Sequence, residues 1–302
     1  MALDKLEAMR AFCRIVETGS FKNAADALDC AATTLSGQIQ ALENHLGARL
    51  LHRTTRKVAP TADGLDYYRH ILPLLEEIDE IHGEMQQGGA AGGLLRVEMP
   101  SPVADYLIVP KLMDFSARHP QLKMEIGSSE RVVDLVRDGV DCAIRGGVLA
   151  DETLVGKVIG AMPFCLCAAP AYLANRPAPA KPEDLAQHRY LAFKFAATGK
   201  LANLAFTQSD QPVFAQTPDI TYNNAQTYYV ALLAGQGVGF VPKAVAAAHI
   251  RENRLTEILP DRPLQSMLLS FVYPQSRYTP KRVKVFQAWL EELFAESGDW
   301  RI

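Results

Sequence analysis

The sequence predicts an α/β protein with three parts: an N-terminal winged helix-turn-helix (residues 1–61), a long linker helix (62–90) and a two-lobed α/β domain (91–302). We call these parts the head, the linker helix and the sensor. Two short helical patterns and a basic hairpin make up the head, and a long apolar stripe follows them. Beyond a glycine-rich joint, strand-like and helix-like patterns alternate, with helices predicted at 110–118 and 131–138. Such alternation is typical of parallel sheets with crossover helices.

The first two helical patterns have the order of a helix-turn-helix, over about residues 21–40. Ser20 is suited to cap a short helix whose buried side is made of small residues, and such residues allow a second helix to cross closely. After a turn at residues 29–31, apolar residues recur at the spacings of one buried helix face: Leu35, Ile39, Leu42 and Leu46. Gly47 then stands where a helix C-cap is expected.

The opposite face of the second helix carries short groups that suit the major groove of DNA. We predict DNA contacts for Thr33, Thr34, Ser36, Gly37 and Gln40. A glycine inside a helix costs about 1 kcal/mol relative to alanine, so Gly37 needs an explanation. Closer approach of DNA to the backbone and weaker selection for tight binding explain it equally well, and the base code stays open.

A basic hairpin follows at residues 49–58, in a stretch without acidic residues between Glu43 and Asp63. We predict that its cations contact phosphates and thereby fix orientation without reading sequence: Arg53, Arg56 and Lys57. Any one of them alone would be interpreted as a solvated surface charge. Their clustering beside a helix-turn-helix favours the phosphate contact.

These segments resemble the LysR-type transcriptional regulators. In the head the resemblance rests on LEAMRAF (6–12), ETGSF (17–21) and TADG (61–64), and it continues downstream in RHP (118–120), VDLV (133–136), GVD (139–141), AIRG (143–146) and VYP (272–274). It covers nearly the whole chain. Two positions depart from the family pattern, since Ala31 stands where the family often has Ser and Gly37 where it often has Arg.

The resemblance implies a bacterial DNA-binding transcriptional regulator whose promoter binding or activation is modulated by a small-molecule effector. The implied partners are double-stranded promoter DNA, an effector for which a carboxylate is one candidate, other copies of the chain in a homodimer or homotetramer, and RNA polymerase. It leaves the effector, the promoter sequence and the choice between activation and repression open.

The linker helix is expected to run from Thr61 to about Gln87. Its apolar stripe is wide enough to pack against a partner helix, which predicts a dimer: Leu65, Tyr68, Leu72, Leu75, Ile78, Ile81 and Met85. Packing of the same stripe on the chain's own head is the alternative. Pro73 lies inside and should bend the helix.

Composition limits the remaining classes. The 302 residues are 48% hydrophobic, which is enough for two or three cores, and the net charge of -3 hides the basic hairpin. We expect a soluble cytoplasmic protein without a membrane partner, because no signal-peptide-like start and no run of about 18 apolar residues occurs. Five scattered cysteines argue against a disulfide framework. Cys165 and Cys167 should share one strand face, either as buried small hydrophobic residues or as a metal or redox pair.

The sensor is predicted to form lobe I from about 91–162 and 268–302, and lobe II from about 163–267. Two crossings between α/β lobes make a hinged cleft, as in the type 2 periplasmic binding proteins that this part of the family resembles. Ligands of open parallel sheets sit beyond the carboxyl ends of strands. On this basis we predict effector contacts for residues at strand ends of lobe I: Ser101, Pro102, Ser128, Ser129 and Arg145. From lobe II, Phe195 and the turn Asn223-Asn224 before a predicted helix are expected to close over the effector.

Alternatives accompany several of these residues. Each serine is also suited to cap a helix, and the two roles are compatible. Arg145 either binds an anion or fixes the hinge.

Two rival functions are weaker. For an enzyme, Gly235–Gly239 has the wrong glycine spacing for a nucleotide loop, Gly156-Lys157 lacks the rest of a phosphate loop, and no catalytic signature occurs. We therefore expect no catalytic residue, cofactor or metal. An uptake protein conflicts with the missing signal peptide and with the head.

Overall fold

A computed structural model describes residues 4–53, 58–86, 91–129, 133–147, 153–195, 199–275 and 279–300. The chain folds into two compact units: the first comprises Met1–Gly92 together with the short segment Val136–Gly139, and the second comprises Gly93–Leu135 and Val140–Ile302. The predicted boundaries of head, linker helix, sensor and lobes remain predictions.

Among its described residues, the first unit contains four helices and a two-stranded hairpin. They are α1 (Lys5–Thr18), α2 (Phe21–Ala27), α3 (Ala32–Leu46), β1 (Leu51–Arg53), β2 (Val58–Pro60) and α4 (Ala62–Gln86). Ser20 caps α2 as expected, since its Oγ accepts a hydrogen bond from the amide of Asn23. Gly47 ends α3 in the left-handed conformation, with φ of 68°.

The core of this unit forms where α3 crosses α1 and α2. Leu35, Ile39 and Leu42 are buried there, together with the small residues Ala24 and Ala25 of α2. The predicted stripe stops one turn early, because Leu46 is 40% exposed. Leu46 is the last residue of α3, beyond the crossing with the neighbouring helices.

The first half of α4 packs on the head rather than projecting from it. Leu75 is buried in the head core, and Tyr67, Tyr68, Ile71 and Leu72 pack partly buried against it. Arg10 of α1 also forms an ion pair with Asp79 of α4. For this stretch the alternative of intramolecular packing holds. An apolar stripe has the same period whether its partner is the same chain or another copy, so the sequence alone did not separate the two.

Gly64 allows the close contact between α4 and the start of the hairpin. A Cβ atom built on Gly64 would lie 1.9 Å from the carbonyl oxygen of Leu50. Thr61 fastens the same junction, because its hydroxyl donates to the carbonyl of Arg49 (2.7 Å) and accepts from the amide of Gly64 (2.9 Å). The TADG segment at 61–64 therefore has a packing role.

The second unit combines sheets and helices. In chain order these are β3 (Gly93–Met99), α5 (Ser101–Val103), α6 (Leu112–Arg118), β4 (Leu122–Ser128), β5 (Cys142–Gly146), β6 (Leu154–Met162), β7 (Phe164–Ala168), α7 (Pro170–Leu173), β8 (Leu191–Phe193), β9 (Ile220–Tyr222), α8 (Ala225–Leu233), β10 (Val238–Pro242), α9 (Lys243–Arg251), β11 (Thr256–Ile258), β12 (Met267–Pro274) and α10 (Lys281–Glu296).

A five-stranded sheet has the order β4-β3-β5-β12-β6. β3 pairs in parallel with β4 and β5, as predicted, whereas β12 pairs antiparallel with β5 and β6. Residues 267–274 thus return to the sheet that contains 93–99, as the sequence predicted for the end of the chain.

A three-stranded sheet has the order β10-β7-β11, with both outer strands antiparallel to β7. The expectation of a wholly parallel sheet was wrong here. β10 and β11 are parallel to each other and α9 connects them, so the crossover exists. The strand between them, however, runs the other way, and an alternating pattern does not reveal that.

Two helical segments differ from expectation. The predicted helix over 131–138 is a turn at residues 135–139 in the described part, closed by a hydrogen bond from the amide of Val140 to the carbonyl of Leu135. Gly139 adopts φ of 66° there, and the valines nearby disfavour a helix. For the predicted helix 110–118, the observed α-helix α6 begins only at Leu112, because residues 110–111 belong to a 3-10 turn (Val109–Lys111). This turn follows α5 and a π-helical turn (Ala104–Ile108). Pro110 has no amide hydrogen to donate, which accounts for the irregular pattern of helical hydrogen bonds in this segment.

A buried ion pair holds α10 against the five-stranded sheet. Arg282 donates to Asp141 at 2.8 Å, and the two side chains are only 7% and 11% exposed. The other carboxylate oxygen of Asp141 accepts from the amide of Arg96 in β3. Each charge is therefore paired, as burial in a low-dielectric interior requires.

Candidate DNA-binding face and effector site

The predicted DNA-reading residues lie on the outer side of α3. Thr33, Thr34, Gly37 and Gln40 are exposed and Ser36 is half-buried. Thr33, Gly37 and Gln40 are separated by four and three residues, so they form one line along the helix. The structure thus brings the predicted residues to one exposed surface, while DNA contact itself stays a prediction.

Ala31 occupies the N-cap position of α3 and provides no side-chain hydrogen bond. The family-typical serine would supply an acceptor for an amide of the first turn. The first turn lies at the positive end of the helix dipole, where an anion such as a phosphate binds favourably. The departure at Ala31 is therefore compatible with a phosphate contact at this end.

The hairpin predicted to be a basic wing is present, since β1 and β2 pair antiparallel with Arg53 opposite Val58. Arg56 and Lys57 lie outside the described residues, as does the side chain of Arg53. The hairpin is fixed to α3 through Glu43, whose carboxylate accepts from the amides of Leu50 (2.8 Å) and Leu51 (3.1 Å).

Sequence reasoning missed this positioning role of Glu43. The available signal is that Glu43 is the one acidic residue in α3, a helix that is expected to enter the major groove of DNA. Two backbone amides of the hairpin segment donate hydrogen bonds to the Glu43 carboxylate. These bonds partly compensate its negative charge and so reduce the repulsion that the carboxylate would exert on DNA.

In the five-stranded sheet, the predicted effector residues meet at the carboxyl ends of two neighbouring strands. The parallel register places Met99 opposite Ser128, so the segments Ser101–Pro102 and Ser128–Ser129 leave the sheet at the same edge. Ser101 is the first residue of α5 and half-buried, Pro102 is buried, and both other serines are exposed. The N-cap of α5 is Pro100, so Ser101 itself is not the cap residue.

A second edge of the same kind lies where β8 and β9 end. These strands are parallel with Phe193 opposite Tyr222, and the amide of Lys194 donates to the carbonyl of Tyr222 at 2.7 Å. Phe195 follows on one strand and is half-buried, with its ring centroid 5.5 Å from that of Phe193 in an edge-to-face contact. Asn223 and Asn224 follow on the other strand.

Asn224 is a helix cap. Its Oδ1 accepts from the amide (3.0 Å) and the hydroxyl (3.1 Å) of Thr227 at the start of α8. The side-chain NH2 group of Asn224 is a separate donor, so the cap and a ligand contact are compatible. Asn223 is exposed beside it. Lys194, which sequence reasoning missed, is also exposed at this edge and adds a positive charge.

Arg145 is used at least in part for the fold. Its Nη2 donates to the carbonyl of Val133 at 2.7 Å, so β5 is tied to the segment that covers it. This hydrogen bond supports a structural role for Arg145. A guanidinium has five N–H donors, so this contact does not use up its capacity for an anion.

The glycines of the GQGVG segment have packing roles. Gly235 adopts φ of 72° just after α8, and added Cβ atoms on Gly237 and Gly239 would lie 2.5 Å from the Arg189 carbonyl oxygen and 2.1 Å from the Tyr228 hydroxyl. Close packing thus accounts for the glycine spacing that resembles a nucleotide loop.

Gly156 and Lys157 lie within β6, and Lys157 pairs with Glu291 at 2.7 Å. Hydrogen bonding to Lys157 is the main cause that lowers the pKa of Glu291. A strand with a paired lysine is not the turn before a helix on which a phosphate loop depends.

Cys165 and Cys167 point to the same side of β7, as expected, and their sulfur atoms are 3.6 Å apart. Both are buried free thiols in an apolar cluster. The hydrogen bond with Cys165 and burial raise the pKa of Cys167 far above its usual range, so the thiolate that metal binding needs is strongly disfavoured. Across the described ranges, no group of three or more His, Cys, Asp or Glu residues is arranged to hold a metal ion.

None of the helices in the described part of the chain is long and apolar enough to cross a membrane.

Comparison with known families identifies both parts of the chain. Residues 6–65 match the family model of the bacterial regulatory helix-turn-helix proteins of the lysR family, and residues 88–295 match the LysR substrate binding domain. An uncharacterized HTH-type transcriptional regulator of Escherichia coli, YhjC, is 34% identical over 98% of this chain and 100% of its own length. An HTH-type transcriptional repressor of Pseudomonas aeruginosa is 34% identical over 98% and 94%.

Solved structures of full-length regulators agree with this. CrgA of Neisseria meningitidis, a LysR-type transcriptional regulator, is 29% identical with a TM-score of 0.58, covering 95% of this chain and 98% of that chain. AphB of Vibrio cholerae, a virulence activator, is 25% identical with a TM-score of 0.56 over the same shares. Two family models cover most of the chain in the order that the sequence predicted, and the chain therefore belongs to the LysR family of transcriptional regulators.

Proposed function

We propose that this regulator binds double-stranded promoter DNA through α3 and the basic hairpin, and that a small-molecule effector held between the two sensor lobes modulates that binding or the activation that follows. The observation that carries the effector proposal is the convergence of predicted ligand residues at two sheet edges. In each case two parallel strands end side by side, the position at which α/β folds bind ligands.

The two edges suggest what the effector looks like. One edge offers the hydroxyls of Ser101, Ser128 and Ser129, and the other offers the amide group of Asn223, the charge of Lys194 and the ring of Phe195. Hydroxyl, amide and ammonium donors around an apolar ring suit a small molecule with an anionic group and an apolar body. A carboxylate is the candidate that we favour.

DNA binding is supported by the exposed line on α3 and by the cations predicted for the hairpin. Recognition helices of this type read base edges, while cations beside them hold the phosphates. We place the regulator in the cytoplasm because that is where bacterial promoter DNA lies.

Assembly is proposed to involve two or four copies. One face of α4 packs on the head through Tyr67, Tyr68, Ile71, Leu72 and Leu75. The contact between copies would therefore use other faces of the linker helix, including Leu74, which is 52% exposed. RNA polymerase is proposed as a further partner at promoters that the regulator activates.

The effector proposal is tested on the full chain. A panel of small aliphatic and aromatic carboxylates is screened by thermal shift, because a ligand that binds the native state raises the Tm. The strongest hit is then titrated calorimetrically into the wild type, Ser101→Ala and Ser129→Ala. Loss of a charge-assisted hydrogen bond costs about 1.5–3 kcal/mol, so we expect a roughly tenfold or larger loss of affinity.

Ser116→Ala is the matched control, since Ser116 lies within α6 rather than at a strand end. It should bind as the wild type does. If both edge variants fold and keep full affinity, the effector site lies elsewhere.

A further inference from the structure

One glycine in the head has no role in the fold. Of the glycines in the head and the linker helix whose surroundings are described, Gly19 and Gly47 adopt positive φ, and Gly64 lies against the carbonyl of Leu50. Gly37 has neither property: a Cβ atom built on it would find nothing within 4 Å. It lies within the fifteen-residue helix α3, where glycine is unfavourable compared with alanine. Nothing in the described head therefore requires glycine at this position.

The position of Gly37 points instead to a partner. It stands between Thr33 and Gln40 on the exposed line of α3, one turn from each. Two side chains with a glycine between them leave a notch, and the floor of that notch is helix backbone. In a helix-turn-helix this face of the second helix lies in the major groove.

The size and polarity of this notch favour one chemical group in the major groove of DNA. Inside a helix the backbone amide and carbonyl are already hydrogen-bonded, so the floor presents mainly the Cα hydrogens. The space gained by lacking a Cβ is about the size of one methyl group. In the major groove the apolar group of that size is the C5-methyl of thymine.

We infer that Gly37 accommodates the C5-methyl group of a thymine, and that Gly37 is a specificity-determining residue for this T·A pair. The inference rests on the proposed DNA binding and adds the identity of one recognised base. An alanine at position 37 would place its own methyl group where the thymine methyl lies. Gly37→Ala should therefore stabilise the head while weakening binding to the preferred sequence.

The test is a cycle between protein and DNA. A duplex is selected from a random library by the full-length wild type, and each thymine is replaced singly by deoxyuridine, which lacks only the methyl group. Fluorescence anisotropy at fixed salt then gives Kd for the wild type and Gly37→Ala. For the wild type we expect a loss of about three- to tenfold at one thymine per half-site, as removal of a buried methyl contact predicts.

For Gly37→Ala we expect an affinity about tenfold lower than that of the wild type on the parent duplex. On the duplex with deoxyuridine at that thymine, the affinity of Gly37→Ala should be less than threefold below that of the wild type, because the alanine methyl group no longer competes with a thymine methyl group for the same space. Gly298→Ala is the control. A Cβ there also meets open space, and Gly298 belongs to the other unit. Circular dichroism of Gly37→Ala should show an unchanged or higher Tm, which separates a lost contact from misfolding.

Each alternative has its own result. An equal loss on all duplexes, random ones included, would mean that Gly37 approaches sugar or phosphate, and it would overturn the thymine assignment. Wild-type affinity of Gly37→Ala for every duplex would overturn any contact at this position. If the wild type selects no duplex over random DNA, the proposed DNA-binding function itself fails, and the inference fails with it.

Discussion

Substitutions at two neighbouring leucines of α4 can distinguish packing on the head from contact between copies of the chain. Leu75 is 5% exposed and belongs to the head core, whereas Leu74 is 52% exposed. We predict that Leu75→Ala destabilises the head strongly and that Leu74→Ala does not. The two substitutions remove the same atoms from adjacent positions, so each is the control for the other.

The expected magnitude follows from burial. Burying a leucine side chain stabilises by about 1.5–3 kcal/mol, and truncation to alanine in a core costs about 2–5 kcal/mol when the cavity is included. Leu75 lies where one helix packs on the rest of the core, so about 2–3 kcal/mol is expected. For an exposed leucine the effect is within about 0.5 kcal/mol. A unit of fewer than about 100 residues should then lose roughly 10 °C or more in Tm for Leu75→Ala.

The two units can be followed separately. Both tryptophans, Trp289 and Trp300, lie in the second unit, so tryptophan fluorescence reports its unfolding alone. The first unit is mostly helical and contributes to circular dichroism at 222 nm. Leu75→Ala should move part of the circular dichroism transition to lower temperature while the fluorescence transition stays in place.

Equal shifts for Leu74→Ala and Leu75→Ala would refute the reasoning, because burial in the head would then not distinguish them. A fall in association for Leu74→Ala, measured by sedimentation with both transitions unchanged, would instead support a contact between copies on this side of the linker helix.

Two further predictions concern charge. Arg53→Ala should weaken binding to selected and random duplexes by a similar factor and reduce the slope of log K against log salt by about one, since a phosphate contact carries no sequence information; an unchanged slope would remove Arg53 from the phosphate-binding set. Burial, assisted by Arg176, lowers the pKa of His188 below 6.5. As the pH falls, His188 therefore takes up a proton in the unfolded chain at a higher pH than in the folded chain. The free energy of unfolding of the second unit should consequently decrease as the pH falls below about 6.5. His188→Gln should flatten part of this dependence in denaturant titrations followed by tryptophan fluorescence, and an unaltered pH profile would contradict the assignment.

The head was predictable because its signals are local. The Ser20 cap, the Gly47 stop and the buried Leu35, Ile39 and Leu42 each act within a few residues, and the structure reproduces all of them. Glu43 escaped prediction because its partners, the amides of Leu50 and Leu51, lie beyond the end of its own helix. A side chain that satisfies backbone seven or eight residues away leaves no periodic trace.

The sensor was harder because strand direction and partner choice are non-local. The alternation of Cys165 and Cys167 predicts the strand β7, but nothing in the sequence shows that β7 runs antiparallel to its neighbours β10 and β11. At the candidate site the serines are predicted from their position after strands, and the asparagines from a turn before a helix. The register of β3 with β4 and of β8 with β9 is what brings them together. Arg145 shows the limit, since its partner, the Val133 carbonyl, lies in a segment that the sequence predicts as a helix and that is not helical where the structure describes it.

The glycines show most clearly what structure adds to sequence. Gly37 and Gly64 both lie inside helices, and by helix propensity alone both are equally unfavourable. The space around each separates them, because a Cβ on Gly64 would strike the Leu50 carbonyl, whereas a Cβ on Gly37 would meet only open space. Packing within the chain therefore explains one glycine completely and the other not at all. The cost of glycine at position 37 is then either recovered through a partner or tolerated, and on the face of α3 that we propose contacts DNA, the partner that we infer is a thymine methyl group.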